Sequence, residues 1–333
     1  MVFNLGKGGK RLGKRVLKRF LSAVGTSVFV IIFNFFLFRI LPGDMTTVIA
    51  RSNVSPDVKQ RLIEASGLDK PLMNQFGIYI NQLLHGDLGT SFYMYDNSSD
   101  VLTVIAGRIP NTVILLLTAE IIAIIIGMFV GTICANKRAT PLDTGLLSGS
   151  LILYSMPTFW FAMLLIFLFC VTFRIFPTGG IFTAGTAYHG WALVKDYLRH
   201  MALPSLCMGF AMVGCYAVTM RSTMIGILTE DYITTARAKG FSTRYILMKH
   251  AIPNAMLPMA TIIAMNIAFI LGGAIQLETL FSWKGLGQLM YLALDKRDFP
   301  MLQGCFLIST LAVILANFIM DILYGFIDPR VKE

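Results

Sequence analysis

Several stretches of predominantly apolar residues, each long enough to cross a lipid bilayer, constrain the fold of this chain more than any other feature. A hydrocarbon core about 30 Å thick takes about 20 residues to cross as an α-helix. Hydrophobic residues make up 56% of the 333 residues and charged residues only 14%, unlike a water-soluble domain. The sequence therefore predicts an all-α integral membrane protein with six spans, at residues 16–38, 111–135, 145–173, 203–224, 257–277 and 302–325.

The basic residues predict how these spans are oriented. The formal net charge is +10, and if the crossings alternate, four basic segments fall on one side: GKGGKRLGKRVLKR at 6–19, the turn at 137–138, the loop at 221–249, and the tail with Arg330 and Lys332. Positive charge in short flanking segments marks the cytoplasmic side. We therefore expect cytoplasmic N- and C-termini, with membrane lipid rather than nucleic acid as the partner of the basic surplus.

The spans divide the chain into a basic tail at 1–15, an external lobe at 39–110, a core at 111–325 with a cytoplasmic loop at 225–256, and a tail at 326–333. The lobe has helix signals of its own. Ser55 and Pro56 are typical of a helix start and Gly67 of a stop, while Pro71 opens a second helix ending near Gly86. A folded lobe is expected, because apolar residues recur at helical spacing at positions 62, 63, 68, 72, 76, 80 and 83.

Signatures of enzymatic chemistry and metal binding are missing from the sequence. The five cysteines lie in or beside apolar stretches without metal-ligand spacing, and we interpret them as small core residues. GGKRLGKR at 8–15 fits a phosphate-binding pattern, but Arg15 stands where Ser or Thr would hold magnesium. The sequence therefore predicts no catalytic residues, no metal site and no cofactor on this chain, so any ATP hydrolysis would come from another chain.

The cytoplasmic loop between the fourth and fifth spans, EDYITTARAKGFSTRYILMKHAIPNAMLP at 230–258, carries the clearest functional signal. Acidic residues at 230–231 suit a helix N-terminus, basic residues at 237 and 239 suit its C-terminus, and Gly240 suits a left-handed stop. Ser242 is typical of the cap of a second helix running toward Pro253. A polar helix pair exposed to the cytoplasm on a membrane protein indicates a soluble partner.

This loop resembles the EAA loop of bacterial ABC importer permeases, which docks on the ATPase subunit. Ala236, Gly240 and Pro253 keep the family frame. Thr234 and Thr235 replace the family's Glu and first Ala, and His250 and Ile252 differ from the general family pattern further along the loop. All four residues resemble those of the peptide and nickel branch. Further blocks resemble dipeptide and oligopeptide permeases: FRILPGD at 38–44, GLDKPL at 67–72, GDLGTSF at 86–92, RIPNT at 108–112, SMPTFW at 155–160, ETLFSWKGLGQL at 278–289 and DILYGFIDPRVK at 321–332.

The resemblance implies a type I ABC importer transmembrane-domain fold in the bacterial inner membrane. It also implies partners: a second homologous permease, two ATP-binding subunits that carry ATP and magnesium, and an external substrate-binding protein. The residues expected to couple this chain to the ATPase are Glu230, Asp231, Tyr232, Thr235, Ala236, Arg237, Lys239, Gly240, His250 and Pro253.

Four polar residues in or near the spans are candidates for the substrate path: Glu120, Asn266, Gln276 and Glu278. A charge within a span costs about 2.5–3.5 kcal/mol on insertion scales, so Glu120 should face a cavity or a partner. The alternative for Glu120 is a protonated or helix-bonded carboxyl group at a packing interface.

Three functional hypotheses remain beside import of di- or oligopeptides. The same architecture could import nickel, glutathione or another small solute, because the external binding protein selects the cargo. A stand-alone ion-coupled carrier would leave the cytoplasmic helix pair unexplained. An intramembrane enzyme would need a nucleophile or metal ligands that the sequence does not offer.

Overall fold

The computed structural model describes residues 5–40, 60, 63–64, 67–91, 100–270 and 275–327. All regular secondary structure among these residues is helical. Five helices are long and apolar enough to cross a membrane: Val16–Ile40, Val101–Asn136, Trp191–Leu228, Thr243–Ile267 and Phe299–Ile322. A bent pair, Pro141–Ser155 with Thr158–Thr172, makes a sixth if it counts as one span. The predicted all-α membrane fold is confirmed.

We number the described helices in chain order. They are α1 (Leu5–Ile40), α2 (Leu72–Leu84), α3 (Val101–Asn136), α4 (Pro141–Ser155), α5 (Thr158–Leu165), α6 (Trp191–Leu228), α7 (Asp231–Ala238), α8 (Thr243–Ile246), α9 (Ile252–Ile270), α10 (Ile275–Leu280), α11 (Leu286–Asp295) and α12 (Phe299–Ile327). Two π-helical turns, Ile166–Thr172 and Leu247–Ala251, follow α5 and α8.

Two helices begin before the spans predicted within them. Helix α3 starts at Val101 rather than 111, and α6 starts at Trp191 rather than 203, with Pro110 and Pro204 inside the helices. At the start of α3, the carboxylate of Asp100 accepts a hydrogen bond from the backbone N–H of Thr103 at 2.8 Å. Such a cap extends a helix into polar surroundings, whereas hydropathy marks only the part that crosses hydrocarbon.

The third span is not one straight helix. The chain bends by 103° between α4 and α5, at a break formed by Met156 and Pro157. Met156 has φ −70° and ψ 136°, an extended conformation that steric contact with a following proline favours. The span predicted at 145–173 is therefore bent at Met156 and Pro157 rather than straight.

The chain divides into two compact units, and the first contains residues 1–112, 271–279 and 284–318. Its core includes Phe38, Ile105 and Leu289, all buried. Helix α2 confirms the predicted helix after Pro71, and its Phe76 ring lies 5.2 Å from that of Phe35. Gly67 has the expected positive φ of 62°. The predicted start at Ser55 and Pro56 lies outside the described residues.

The second unit contains residues 113–270, 280–283 and 319–333. Helix α6 runs through it and packs on α4, α5 and α9. Its core cluster is formed mainly by buried methionine, alanine and tyrosine side chains, among them Tyr216, Met220, Met224, Ala255 and Met259. The cytoplasmic loop singled out in the sequence belongs to this unit, where it lies between α6 and α9.

Candidate functional site

The first element of the candidate coupling loop is the short helix α7. Glu230 occupies its N-cap position and Asp231 its first turn, where carboxylates interact favourably with the helix dipole. Ile233 and Ala236 are buried and form a small apolar cluster with Ile246 of α8. The remaining side chains of α7, including Tyr232, Thr235 and Arg237, are exposed. One face of α7 is therefore anchored and the other is available for contact.

Gly240 forms the turn that ends α7. Its φ is +79°, and its N–H donates to the carbonyl of Arg237 at 2.9 Å while the N–H of Phe241 donates to the carbonyl of Ala236 at 3.3 Å. These two bonds make up the Schellman arrangement, which needs a left-handed residue at this position. An added Cβ on Gly240 would meet no atom within 4 Å, so backbone conformation rather than space requires glycine.

The second half of the loop is fused to the fifth span. The Ser242 side chain accepts a hydrogen bond from the N–H of Tyr245 at 3.3 Å and caps α8, as predicted. Helix α8 then continues through the π turn into α9 without a break, so Pro253 lies inside the helical run and does not end it. The N–H of Ile252 bonds to the carbonyl of Leu247, five residues back, and this wider turn accommodates a proline ring in the next position.

An aromatic cluster covers the joint between the two halves of the loop. The rings of Phe241 and Tyr245 stack at 4.8 Å, and the His250 ring lies 5.7 Å from Tyr245. The Asn254 amide donates to the hydroxyl of Tyr232 at 3.2 Å and so ties α9 to α7. Among the described residues, the buried Nε2 of His250 has no hydrogen-bond partner.

Two of the four substrate-path candidates meet in a buried network. The hydroxyl of Tyr216 on α6 donates to Oε1 of Glu120 on α3, and it accepts from the Asn266 amide of α9 at 2.8 Å. Glu120 is only 1% exposed, and its second oxygen, Oε2, has no partner among the described groups. Sequence reasoning missed Tyr216, because nothing in the chain near it indicates partners 96 and 50 residues away.

The other two candidates lie in α10. Gln276 is exposed, whereas Glu278 is fully buried and accepts from the Thr112 hydroxyl at 2.7 Å and from the N–H of Gln288 at 3.0 Å. Glu278 thereby caps the N-terminus of α11. An added Cβ on Gly285 would overlap the side chains of Glu278 and Thr112, so this position requires glycine. Burial raises the pKa of the Glu278 carboxyl above its ordinary value of 4.5, and the hydrogen bonds from Thr112 and Gln288 oppose that rise.

The cysteines and other possible metal ligands do not form a cluster among the described residues. All five cysteines are free thiols. Within the described ranges, no group of three or more His, Cys, Asp and Glu side chains is arranged to hold a metal ion.

This geometry first defines a class of protein. The chain is a polytopic membrane protein with the transmembrane-domain fold of type I ABC importers. It superposes on a chain of the solved MetNI methionine ABC transporter, described as inward facing, with a TM-score of 0.52 and 16% identity, covering 68% of this chain and 97% of that chain.

Two family models match the sequence. One, binding-protein-dependent transport system inner membrane component, matches residues 123–333, and the N-terminal model of such membrane components matches residues 13–116. The chain therefore belongs to the family of binding-protein-dependent transport system inner membrane components. It is accordingly an integral inner-membrane protein and a transporter permease subunit.

Relatives of nearly the same length carry peptide-transport names. The oligopeptide transport system permease protein AppB of Bacillus subtilis is 33% identical over 317 residues, covering 95% of this chain and 98% of the relative. The dipeptide transport system permease protein DppB of Escherichia coli K12 is 34% identical, covering 96% and 98%. A putative peptide transport system permease protein of Brucella abortus is 36% identical, covering 95% and 98%.

Proposed function

We propose that this chain forms half of the translocation pore of an ATP-driven, binding-protein-dependent importer of di- or oligopeptides. The family assignment and the names of full-length relatives support this cargo class. The proposed complex contains a second homologous permease, two ATP-binding subunits that carry ATP and magnesium, and an external substrate-binding protein. Hydrolysis belongs to those ATP-binding subunits, and this chain transmits its effect.

The observation that carries the coupling role is the fusion of the exposed loop to a membrane span. A partner that pulls on α7 also pulls on α8, because Ile233 and Ala236 pack against Ile246. Helix α8 continues into α9. Movement at the cytoplasmic surface therefore reaches the membrane interior through a rigid element rather than a linker.

The proposed orientation puts this loop and both termini in the cytoplasm. Exposed basic side chains support it in two places, at Lys137 and Arg138 after α3 and at Arg244 and Lys249 in the loop. Asn136 and Arg244 line one cavity, so these two basic segments lie at the same end of the second unit. Single cysteines at Arg138 and Lys195, labelled from either side of sealed vesicles, should react from opposite sides.

The Glu120–Tyr216–Asn266 network is the proposed polar element of the substrate path. It joins α3, α6 and α9 in the membrane interior, where a buried carboxyl group needs hydrogen-bond partners. In this conformation Glu120 is closed off, so contact with cargo would require the three helices to move apart. The roles of Gln276 and Glu278 in the path remain predictions, with Glu278 engaged as a helix cap here.

Reconstitution of the complete complex tests this proposal. Liposomes with the two permeases, the ATPases and a loaded binding protein should accumulate labelled di- or tripeptide only with ATP inside. Accumulation by this chain alone, driven by an ion gradient, would favour a stand-alone carrier. Peptide-independent uptake of nickel or glutathione by the full complex would keep the architecture and replace the cargo.

Substitutions in the loop test the coupling role separately. Gly240→Val, which disfavours the left-handed turn, should leave membrane insertion and complex assembly intact, while ATP hydrolysis no longer drives uptake. Uptake at the wild-type rate with this variant would contradict the proposed role of the loop.

A further inference from the structure

A cavity of about 450 Å³ opens beside the candidate coupling loop. Helix α3 contributes its last two turns, from Met128 to Asn136, and the loop contributes Arg244, Leu247 and Met248. Its walls are almost entirely apolar, and Arg244 is the one charged residue in the lining that the described chain supplies. Nothing in the proposed transport function uses this cavity.

The length of the cavity suits part of one leaflet of a bilayer. Met128 lies about 12 Å along the helix axis from Asn136, at about 1.5 Å per residue. Phe129 and Met248 in its walls are 67% and 60% exposed, so the cavity is open at its side. A long apolar groove that begins at a polar helix end and opens sideways suits an acyl chain.

Charge at the polar end of the cavity selects an anionic head group. The guanidinium of Arg244 makes no hydrogen bond or ion pair with any described residue. Lys137 and Arg138 follow Asn136 directly and are exposed. Asp143, the acidic residue that follows Lys137 and Arg138 in the chain, is already paired with Arg221. Basic pockets between spans at the cytoplasmic surface bind anionic lipid head groups.

We propose that this cavity is a binding site for an anionic phospholipid. The phosphate lies against the guanidinium of Arg244, with Lys137 and Arg138 nearby, and one acyl chain lies against Met128, Phe129 and Met248. A peptide or soluble metabolite would need more polar partners than this lining offers. A helix from another protein would fill the groove through apolar contact, but it would interact with the three cations only through acidic groups placed beside them.

The site includes the π turn that joins the loop to the fifth span, because Leu247 and Met248 belong to both. Wider helical turns of this kind are frequent at functional sites. A bound lipid would brace the junction through which α7 and α8 act on α9. The inference rests on the proposed orientation, and this consequence rests also on the proposed coupling role.

The test uses the full chain assembled with its partner subunits in nanodiscs of phosphatidylcholine, with or without phosphatidylglycerol. Native mass spectrometry counts retained phosphatidylglycerol, and the thermal midpoint reports stabilisation. Arg244→Gln should weaken phosphatidylglycerol retention about fivefold, which is the effect of one basic residue at a membrane surface. Lys249→Gln, on the same segment but outside the lining, should retain it as the wild type does.

Thr132→Phe provides a second variant that leaves Arg244 in place. The ring fills the cavity, so retention should fall although every basic residue remains. Wild-type retention in both variants would overturn the proposal, as would the absence of retained phosphatidylglycerol from the wild-type complex, in which the second permease would then be the occupant of the cavity. Equal stabilisation by soluble glycerol phosphate would also overturn it. Lipid retention is measured without transport, so its failure leaves the peptide-import proposal untouched.

Discussion

Arg221 and Asp143 form a two-point ion pair that joins α6 to α4. Nε of Arg221 donates to Oδ1 of Asp143, and Nη2 donates to Oδ2, each at 2.8 Å. Oδ2 also accepts from the N–H of Ala139, which has a positive φ of 62°. One carboxylate therefore fixes both a helix contact and the turn between α3 and α4.

Replacing Asp143 with Ala should destabilise the protein by about 3 kcal/mol, because it leaves a cation without its partner and removes the acceptor of the Ala139 N–H. Unfolding of the purified complex in detergent, followed by heat or denaturant, measures this loss. Asp295→Ala is the matched control, since the pair of Asp295 with Lys296 is exposed and should contribute less than about 1 kcal/mol. Equal losses in the two variants would contradict the structural role of Asp143.

Substitutions of Gly240 should follow backbone preference rather than side-chain size. Gly240→Asn should retain most coupled uptake, because Asn tolerates the left-handed conformation, whereas Gly240→Val should lose it. The space around Gly240 is open, so steric overlap does not predict this order. The ratio of peptide transported to ATP hydrolysed in proteoliposomes checks it, and equal ratios for Asn and Val would rule out the conformational explanation.

The ends of α7 could be predicted because their causes are local. Acidic residues at 230–231, the glycine at 240 and the serine cap at 242 act within a few residues of themselves, and the structure confirms each. Pro253 was interpreted as a helix end because a proline normally interrupts the hydrogen bonding of the preceding turn. The π turn absorbs that defect, and no residue type signals such a turn in advance.

Ala236 should not tolerate a larger side chain. It is buried against Ile233 and Ile246, so Ala236→Leu should cost about 1–3 kcal/mol through overpacking and detach α7 from α8. Thr234→Leu, an exposed position on the same helix, should leave the thermal midpoint within error of the wild type. A midpoint for Ala236→Leu as high as that of Thr234→Leu would show that α7 is not anchored by this face.

Glu278 should make stability depend on pH. Its pKa is raised in the folded protein because of burial, so the folded state binds protons more tightly than the unfolded state does. Stability should therefore fall as pH rises from about 4.5 through the folded pKa, and become level above it. Glu278→Gln should flatten this slope yet lower stability by about 1–3 kcal/mol, because Thr112 and Gln288 both donate and an amide can accept from only one of them. Denaturant titrations between pH 4 and pH 8 check both effects, and a variant with an unchanged slope would exclude Glu278 as its source.

The buried network was only half predictable. The cost of a charge in a span singled out Glu120, and the same reasoning picked Asn266, since unpaired polar groups in hydrocarbon are rare. This reasoning does not show which residues form hydrogen bonds with Glu120 and Asn266. Tyr216 lies on α6 among apolar residues, and only the packing of three helices brings its hydroxyl between the other two side chains.

Tyr216→Phe removes only the hydroxyl and should cost about 2–4 kcal/mol, because Glu120 and Asn266 each lose a buried hydrogen bond. Combining it with Asn266→Leu should cost less than the sum of the two single losses, since both remove the same bond. Tyr154→Phe is the matched control, because Tyr154 is 53% exposed. Unfolding measures stability, and peptide uptake measures function. Additive losses in the double variant would mean that Tyr216 and Asn266 do not interact, and the proposed polar element of the path would then lack its link to α9.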